Sequence, residues 1–560
     1  MLLGVISSKL FHHLLLPVAI ISTIYLYLYP IFRGCAFPLP AGNSSSSLDA
    51  IRSAFCQHYC YHHSNNGGEK KEKEKAAADF RLLVLADPQL EGDSSLPDKE
   101  DELGSRLSKH WEDILLSYRS TKNNMGPTTT TIRNGILLWW NTIAEILTTD
   151  IPASLAGFRK RVDLLGNDYY LAHVYRTMHW WSRPTHVAVL GDLLGSQWIG
   201  EGEFDLRGRR YWDRVFRGGE KVHNSHHHIF DYGGMEKEKE WSNRIINVVG
   251  NHDIGYAGEV NRSRIDRFER VFGPVNWDVR FRYHPSSDPL PEGGGGSGKT
   301  PSLHLINLNS LVLDTPALSE EIQAETYRYM NEVIRHRSKP VGDPSSFTLL
   351  LTHVPLHKEE GICTDGPRFE FHEHDDDDDD DDKGPGYREG GLKGQNHLSQ
   401  HVSSHAILEG IFGLSGNTDR APNHGLGRNG LILTGHDHSG CDVLHYVDDD
   451  EGGWKWRAKP YSNNATVDTP SIREITLRSM MGEYGGNAGL LSIWFDEHDG
   501  SWKYDFATCA AGLQHIWWFA HALVFVTCVS GLWVWWPYSP RRPDDNLSRP
   551  VHKNGGVKSK

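Results

Sequence analysis

The sequence predicts an α/β fold, and three observations predict it. Between residues 81 and 438 five short apolar runs each stop at a loop of small and polar residues. The composition, 38% hydrophobic and 11% aromatic, supplies material for one large core. The long apolar stretches lie near the two ends of the 560-residue chain, which leaves the span 79–508 to a single body.

Each run reads as a buried strand emptying into a loop. Arg81-Leu82-Leu83-Val84-Leu85-Ala86 stops at Asp87-Pro88-Gln89, and His186-Val187-Ala188-Val189-Leu190 stops at Gly191-Asp192. Ile245-Ile246-Asn247-Val248-Val249 leads to Gly250-Asn251-His252-Asp253. Phe347 to Leu351 leads to Thr352-His353, and Leu431-Ile432-Leu433 to Gly435-His436-Asp437-His438. A rigid sheet fixes such loops at its strand ends, where function concentrates. In extended backbone alternate side chains share a face, so Asp87 with Gln89, and His436 with His438, are expected to aim at one point.

Together these islands offer Asp, Asn, His and one amide oxygen, the ligand types that hold a pair of hard-to-borderline divalent cations. Two cations about 3.5–4 Å apart neutralise the charge of a phosphate ester and generate a nucleophile from water near neutral pH. Asp192 is the candidate bridge and counts with the catalytic groups. Asp87, Gln89 and His438 are assigned to one metal, and Asn251, His353 and His436 to the other. His252, which points away from Asn251 if the turn is extended, is placed to face the leaving-group oxygen as acid or charge stabiliser.

The order of these blocks resembles the calcineurin-like metallophosphoesterase superfamily, over about 79–508. The resemblance implies a four-layer α/β sandwich, two mixed β-sheets flanked by helices, holding Mn, Fe or Zn. Two departures stand out. Gln89 replaces the usual His of the first block, which predicts a weaker, oxygen-held metal. Asp192 is followed by Leu193-Leu194-Gly195 and the third block ends in Asp253, unlike the protein phosphatases, so the group orienting His252 is unassigned. A narrower similarity is to the fungal GPI-glycan phosphodiesterases. It is carried by Ala86-Asp87-Pro88-Gln89, Asn167-Asp168-Tyr169-Tyr170, Gly191 to Trp198, Thr352 to Leu356, and Arg473 to Thr476 leading to Ser479-Met480. That resemblance implies a manganese-dependent enzyme of the endoplasmic reticulum membrane, or early Golgi. It removes ethanolamine-phosphate from a mannose of a GPI-anchor glycolipid or GPI-anchored protein, in support of maturation and export. Gln89 is shared with the fungal group, and Gly195-Ser196-Gln197-Trp198 favours the second mannose over the first. Association with a cargo receptor is a further implication.

The ends predict a membrane address. Residues 14–32 and 513–536 are read as transmembrane helices, each near the length needed for a hydrocarbon core of roughly 30 Å, with Tyr25, Tyr27, Tyr29 and Trp517-Trp518, Trp533 to Trp536 as aromatic anchors. A cleaved signal peptide is the competing reading of the first. Residues 1–13 and the basic tail 537–560 are then cytosolic by the positive-inside rule, which puts the body in the lumen behind a flexible linker at 33–78. Lys558 and Lys560 loosely resemble a dilysine retrieval signal. Asn43, Asn261 and Asn464 open glycosylation triplets. Seven cysteines are too few for a disulfide-built fold; Cys363 and Cys441 either pair at the site rim or stay buried thiols.

A formal net charge of −14 argues against a nucleic-acid partner. Part of it is the acidic run Asp375 to Asp382, read as solvated within an insertion at 371–394; a second insertion is expected at 283–300. Leu137-Leu138-Trp139-Trp140 is too short a stretch to span and predicts a core or membrane-facing amphipathic helix. His226-His227-His228 reads as a surface loop without a neighbouring strand, His357 as a group behind the ligands or facing substrate, and Arg368 as a surface ion pair rather than a phosphate contact. A broad-specificity phosphomonoesterase, a non-enzymatic cargo or manganese-homeostasis factor, and a soluble secreted hydrolase are the alternatives on the same site.

Overall fold

The computed structural model describes residues 9–38, 78 and 80–535, apart from 93–95, 97, 99, 124–128, 224–227, 232–240, 242, 284–299, 338, 364–365, 374–385, 418, 451–452 and 463–469. The chain divides into two units, Tyr29–Gln514 and the terminal segments up to Leu28 and from His515. Most of the linker, the acidic run, the glycine-rich insertion, the basic tail, and Asn43 and Asn464 lie outside the described residues.

Among the described residues, sixteen strands build the larger unit. In chain order they are β1 Phe80–Leu85, β2 His186–Leu190, β3 Glu220–Lys221, β4 His228–Asp231, β5 Arg244–Val248, β6 Trp277–Arg282, β7 Ser302–Asn307 and β8 Ser346–Leu351. There follow β9 Phe369–Phe371, β10 Leu392–Gln395, β11 Gly430–Thr434, β12 Cys441–Asp450, β13 Gly453–Pro460, β14 Ser471–Thr476, β15 Asn487–Asp496 and β16 Ser501–Ala510. One sheet runs β16-β15-β1-β2-β5-β3, the other β13-β12-β14-β11-β8-β7-β6-β4, and β10 pairs with β9. Both large sheets are mixed. The five runs singled out in the sequence are β1, β2 and β5 of one sheet and β8 and β11 of the other, each set paired in parallel. Parallel pairing makes their carboxyl ends emerge together, the place where open α/β sheets form a crevice.

The period-2 alternation of the strands creates the core. Leu82, Val84, Leu190, Ile246 and Val248 from the first sheet meet Leu303, Leu305, Leu349, Leu351, Leu431 and Leu433 from the second in one buried cluster. All five residues of β2 are buried, as expected of a strand covered on both faces. Helices flank the sheets. Helix Ile151–Ser182 buries Leu171, Val174, Met178 and Trp181, and helix Glu320–Arg335 buries Ile322, Thr326, Met330 and Val333 at helical spacing. Ser319 caps the second, and Asn261 caps helix Arg262–Phe272 by accepting from the Arg264 N–H at 3.0 Å.

Four expectations change. Gln514–Trp535 is the only helix among the described residues long and apolar enough to cross a membrane. The first apolar stretch forms the shorter helix Phe11–Tyr27, interrupted at Leu28, where φ −98° and ψ 8° leave the helical region before Tyr29–Phe32 resumes. The proposed linker is not free at its start: Cys35 is bonded to Cys509, its carbonyl accepts from the Trp181 indole at 2.8 Å, and Phe37 is buried. His228 opens a strand, β4, which pairs with β6, so that histidine tract does have a strand beside it; His226 and His227 lie outside the described residues. The 371–394 insertion is rooted in the β9–β10 ladder rather than being loop throughout.

Candidate metal centre

The five loops converge. Asp192, His353 and His436 present ligand atoms within 4.8 Å of one another, as do Asp87, Asp192 and His438, so Asp192 belongs to both clusters. Asn251 Oδ1 lies 3.0 Å from His353 Nε2, and Gln89 Nε2 lies 3.1 Å from both the Asp192 carboxylate and His438 Nε2. The seven residues named from the sequence as metal ligands therefore lie close together. A carboxamide turned by 180° presents oxygen in place of its NH2, which is the form in which Gln89 would ligate.

The route to convergence differs from the extended backbone expected. Asp87, Gln89, Asp192 and His436 have φ of 50°, 41°, 49° and 72°. Left-handed backbone at non-glycine residues costs about 1–3 kcal/mol each and persists only where the surroundings over-determine it. Here the determinants are visible: Gln89 N–H donates to Asp192 O at 2.8 Å, His436 N–H to Asp87 Oδ1 at 3.1 Å, and Leu90 bridges to Leu194. The glycines make room. A Cβ on Gly250 would collide with the Asp192 backbone, and one on Gly191 with the His353 ring. Asn251–Ile254 is a helical turn, not extended, so Asn251 and His252 diverge by helical rotation rather than by strand alternation.

The surroundings fix the imidazoles as ligand-holding sites do. His353 Nδ1 donates to Leu190 O at 2.8 Å, which aims Nε2 at the cluster. His436 Nε2 donates to Gln395 O at 2.8 Å, leaving Nδ1 to the site, and His438 Nδ1 faces the Tyr484 hydroxyl at 3.2 Å. Burial pulls His436 down to about 3, which leaves that ring neutral, and burial also lowers His438. Burial also opposes charge on His353, but the Asp192 carboxylate outweighs it and pushes the ring up to about 9. Desolvation raises Asp87 well above the carboxylate range, whereas at Asp192 the same burial is outweighed by His353 and His252, which hold it low.

These residues fit a cation pair. Asp87 is fully buried, and its Oδ2 has no hydrogen-bond partner among the described residues. Two buried carboxylates share the pocket with imidazole and carboxamide groups, a donor set that divalent cations take.

His252 sits at the open side, its Nε2 3.8 Å from Asp192 Oδ2 and its side chain 37% exposed. No described residue accepts from its Nδ1. Asp253 does not orient it. Instead its carboxylate accepts from Gly250 N–H at 2.8 Å and Leu194 N–H at 3.0 Å, tying the second and third loops together; burial and the nearby Asp192 push it up to about 7. Sequence reasoning missed this brace, although the acid at that place in the block was its signal. It also missed Glu474, fully buried, which receives the Leu356 N–H at 2.9 Å, the Lys358 ammonium at 3.0 Å and His445 Nε2 at 2.7 Å, and so anchors the loop that carries His353.

The other predicted groups lie elsewhere. Asp168 pairs with Arg210 and Arg214, and Tyr170 donates to Gly512 O at 2.6 Å, so that stretch is structural. Gln197 donates to Glu259 at 3.1 Å, and Trp198 stacks under Arg264 at 4.6 Å. His357 is half-buried, with its N–H held by Ser403 at 2.8 Å. Arg368 is exposed and ion-paired with Glu370. Cys363 is bonded to Cys441, with Cα atoms 5.6 Å apart.

Sandwich, converging strand ends and two ligand clusters on one carboxylate define a metallophosphoesterase, and comparison agrees. No family model matches the chain. Protein TED1 of Saccharomyces cerevisiae is 32% identical over 408 residues, covering 66% of this chain and 76% of that protein. Metallophosphoesterase 1 of Cricetulus griseus is 23% identical over 292 residues, with 51% and 57% covered, so the chain spans little more than half of that relative. An uncharacterized protein of Schizosaccharomyces pombe is 28% identical over 357 residues, with 60% and 64% covered. The chain belongs to the metallophosphoesterase family.

Proposed function

We propose that the chain is a membrane-anchored phosphodiesterase of the endoplasmic reticulum lumen that removes ethanolamine-phosphate from a mannose of the GPI-anchor glycan. The observation that carries the catalytic part is the sharing of Asp192 between two ligand clusters. When bound there, two divalent cations, manganese in preference to iron or zinc, supply charge neutralisation at phosphorus and a nucleophile at neutral pH. Asp87, Gln89 and His438 would hold one and Asn251, His353 and His436 the other, with the Asp192 carboxylate within reach of both sets. Ligands that are uncharged once bound, imidazole and carboxamide, would keep the site cationic toward an anionic ester. His252, at the open side, holds its proton at Nε2 for the departing mannose oxygen.

The apolar helix Gln514–Trp535 supports the membrane anchoring, with the Phe11–Tyr27 stretch as the second attachment. Two disulfides, Cys35–Cys509 and Cys363–Cys441, support an oxidising lumen. The glycan assignment rests on the resemblance of Ala86 to Gln89 and Gly191 to Trp198. The test is release of ethanolamine-phosphate from a defined GPI glycan by purified full chain with added manganese. Release by the wild type and none by Asp192→Asn is expected; cleavage of simple phosphomonoesters alone would replace the substrate assignment. Glycans modified on the first or on the second mannose decide between the two positions.

A further inference from the structure

We propose that the long helical stretch from Thr129 to Ser182 is a second membrane contact, an exposed apolar stripe that lies in the surface layer of a lipid bilayer. Helix Thr129–Glu145 runs through a π turn, Ile146–Asp150, into helix Ile151–Ser182. Large apolar side chains stand at 136, 140, 143, 147, 151, 155, 158, 162, 165 and 169, all on the exposed surface. Their spacing of three or four confines them to an arc of about 120° at the ideal helical rotation. Trp140, Leu155 and Phe158 are 67%, 64% and 63% exposed. A helix face open to water carries polar residues at such positions, and a contiguous apolar surface of this extent marks an interaction site.

The occupant follows from where the stripe is fastened. The span-length helix begins at Gln514, whose Nε2 donates to Asn167 Oδ1 at 3.4 Å, while Tyr170 donates to Gly512 O at 2.6 Å. The end of the stripe at Leu165 and Tyr169 is thus tied, within one helical turn, to the residue where the chain enters that helix. Trp181, farther along the same helix, holds the Cys35 carbonyl just after the N-terminal apolar segment. Gly512, Gln514 and Cys35, which border the two apolar segments in sequence, are therefore all held by the helix that carries the stripe. At about 1.5 Å per residue the stripe is about 50 Å long, and Arg159, Lys160 and Arg161 interrupt its helix, so it fits along a bilayer surface and not across one. Trp139, Trp140 and, on helix Leu103–Asn123, the exposed Trp111 supply the amphipathic rings that favour the headgroup level. Such a contact holds the body against the surface that presents a lipid-linked substrate. The inference rests on the membrane anchoring proposed above.

The test places the full chain in phosphatidylcholine vesicles that carry a photoactivatable diazirine on the acyl chain, and maps labelled peptides by mass spectrometry. Label is expected in 136–169 as well as in 514–535. The triple variant Trp140→Glu, Leu155→Glu, Phe158→Glu is expected to lose label in 136–169 several-fold while 514–535 keeps it and both disulfides still form. Label confined to 514–535 in the wild type overturns the inference but leaves the anchoring standing, and unchanged label in the triple variant overturns it too. Cross-links joining Lys160 of two copies would make the stripe a dimer face instead. Absence of label from 514–535 overturns the anchoring itself.

Discussion

At His353 a proton and a metal compete for one atom. The ring is buried, its Nδ1 is committed to Leu190 O, and Asp192 holds the proton on Nε2 up to about 9 in the metal-free pocket. Ligation needs the neutral ring, so binding releases that proton. The sign follows: lowering pH favours the proton, raising it favours the metal. Apparent manganese affinity is expected to rise with each pH step from 6 to 9, measured by titration of metal-stripped protein, and a flat profile would remove His353 Nε2 from the ligand set. Gln89 makes a separate prediction. Its amide sits 3.1 Å from both Asp192 and His438, so Gln89→Ala should raise the manganese needed for half-maximal binding by about 10–100-fold, the range for groups that tune a metal site. An unchanged titration would leave it a spacer between those two side chains.

At the scale of elements, the loops after β1, β2, β5, β8 and β11 are held by groups the motifs do not advertise. Glu474 on β14 shows how. Burial alone would raise its pKa, but Lys358 and His445 outweigh burial and bring it down to about 2. A carboxylate depressed in the folded state contributes stability above its unfolded value, about 4.3. That stability is lost as pH falls through the folded value, here between about 4.3 and 2. Glu474→Ala leaves the Lys358 ammonium buried and unpaired, and is expected to destabilise the chain by about 3–5 kcal/mol in denaturant titrations at pH 7. A loss below the range of surface substitutions would show that the loop is held by other contacts.

The same elements show what the sequence makes legible. Apolar runs ending at glycine or a carboxylate mark β1, β2, β5, β8 and β11, because a strand covered on both faces must be apolar throughout. The residues that converge are legible because metal chemistry restricts residue type. The backbone that aims them was not, since φ near 50° at Asp87 and Asp192 is imposed by hydrogen bonds between loops far apart in sequence. The Glu474 brace joins residues 116 and 118 positions apart, beyond any local pattern. Disulfide partners are equally invisible: Cys35 and Cys509 are separated by 474 residues. The break at Leu28 in the first apolar stretch is not legible either, because composition gives hydropathy and not backbone angles.

For the whole molecule, two sheets meet so that five loops bring two carboxylates, two carboxamides and three imidazoles to one place, with Asp192 common to both clusters. The Cys35–Cys509 and Cys363–Cys441 bonds join segments 474 and 78 residues apart within this frame. The proposed reaction depends on that shared carboxylate. The most direct measurement is the number of manganese ions bound per chain by metal-stripped full-length protein and by Asp192→Asn, counted by calorimetric titration and elemental analysis at pH 8. Two ions are expected in the wild type, with both weakened together in a variant that keeps its fold. A single ion in the wild type, or two bound undiminished by Asp192→Asn, would contradict a centre bridged at Asp192.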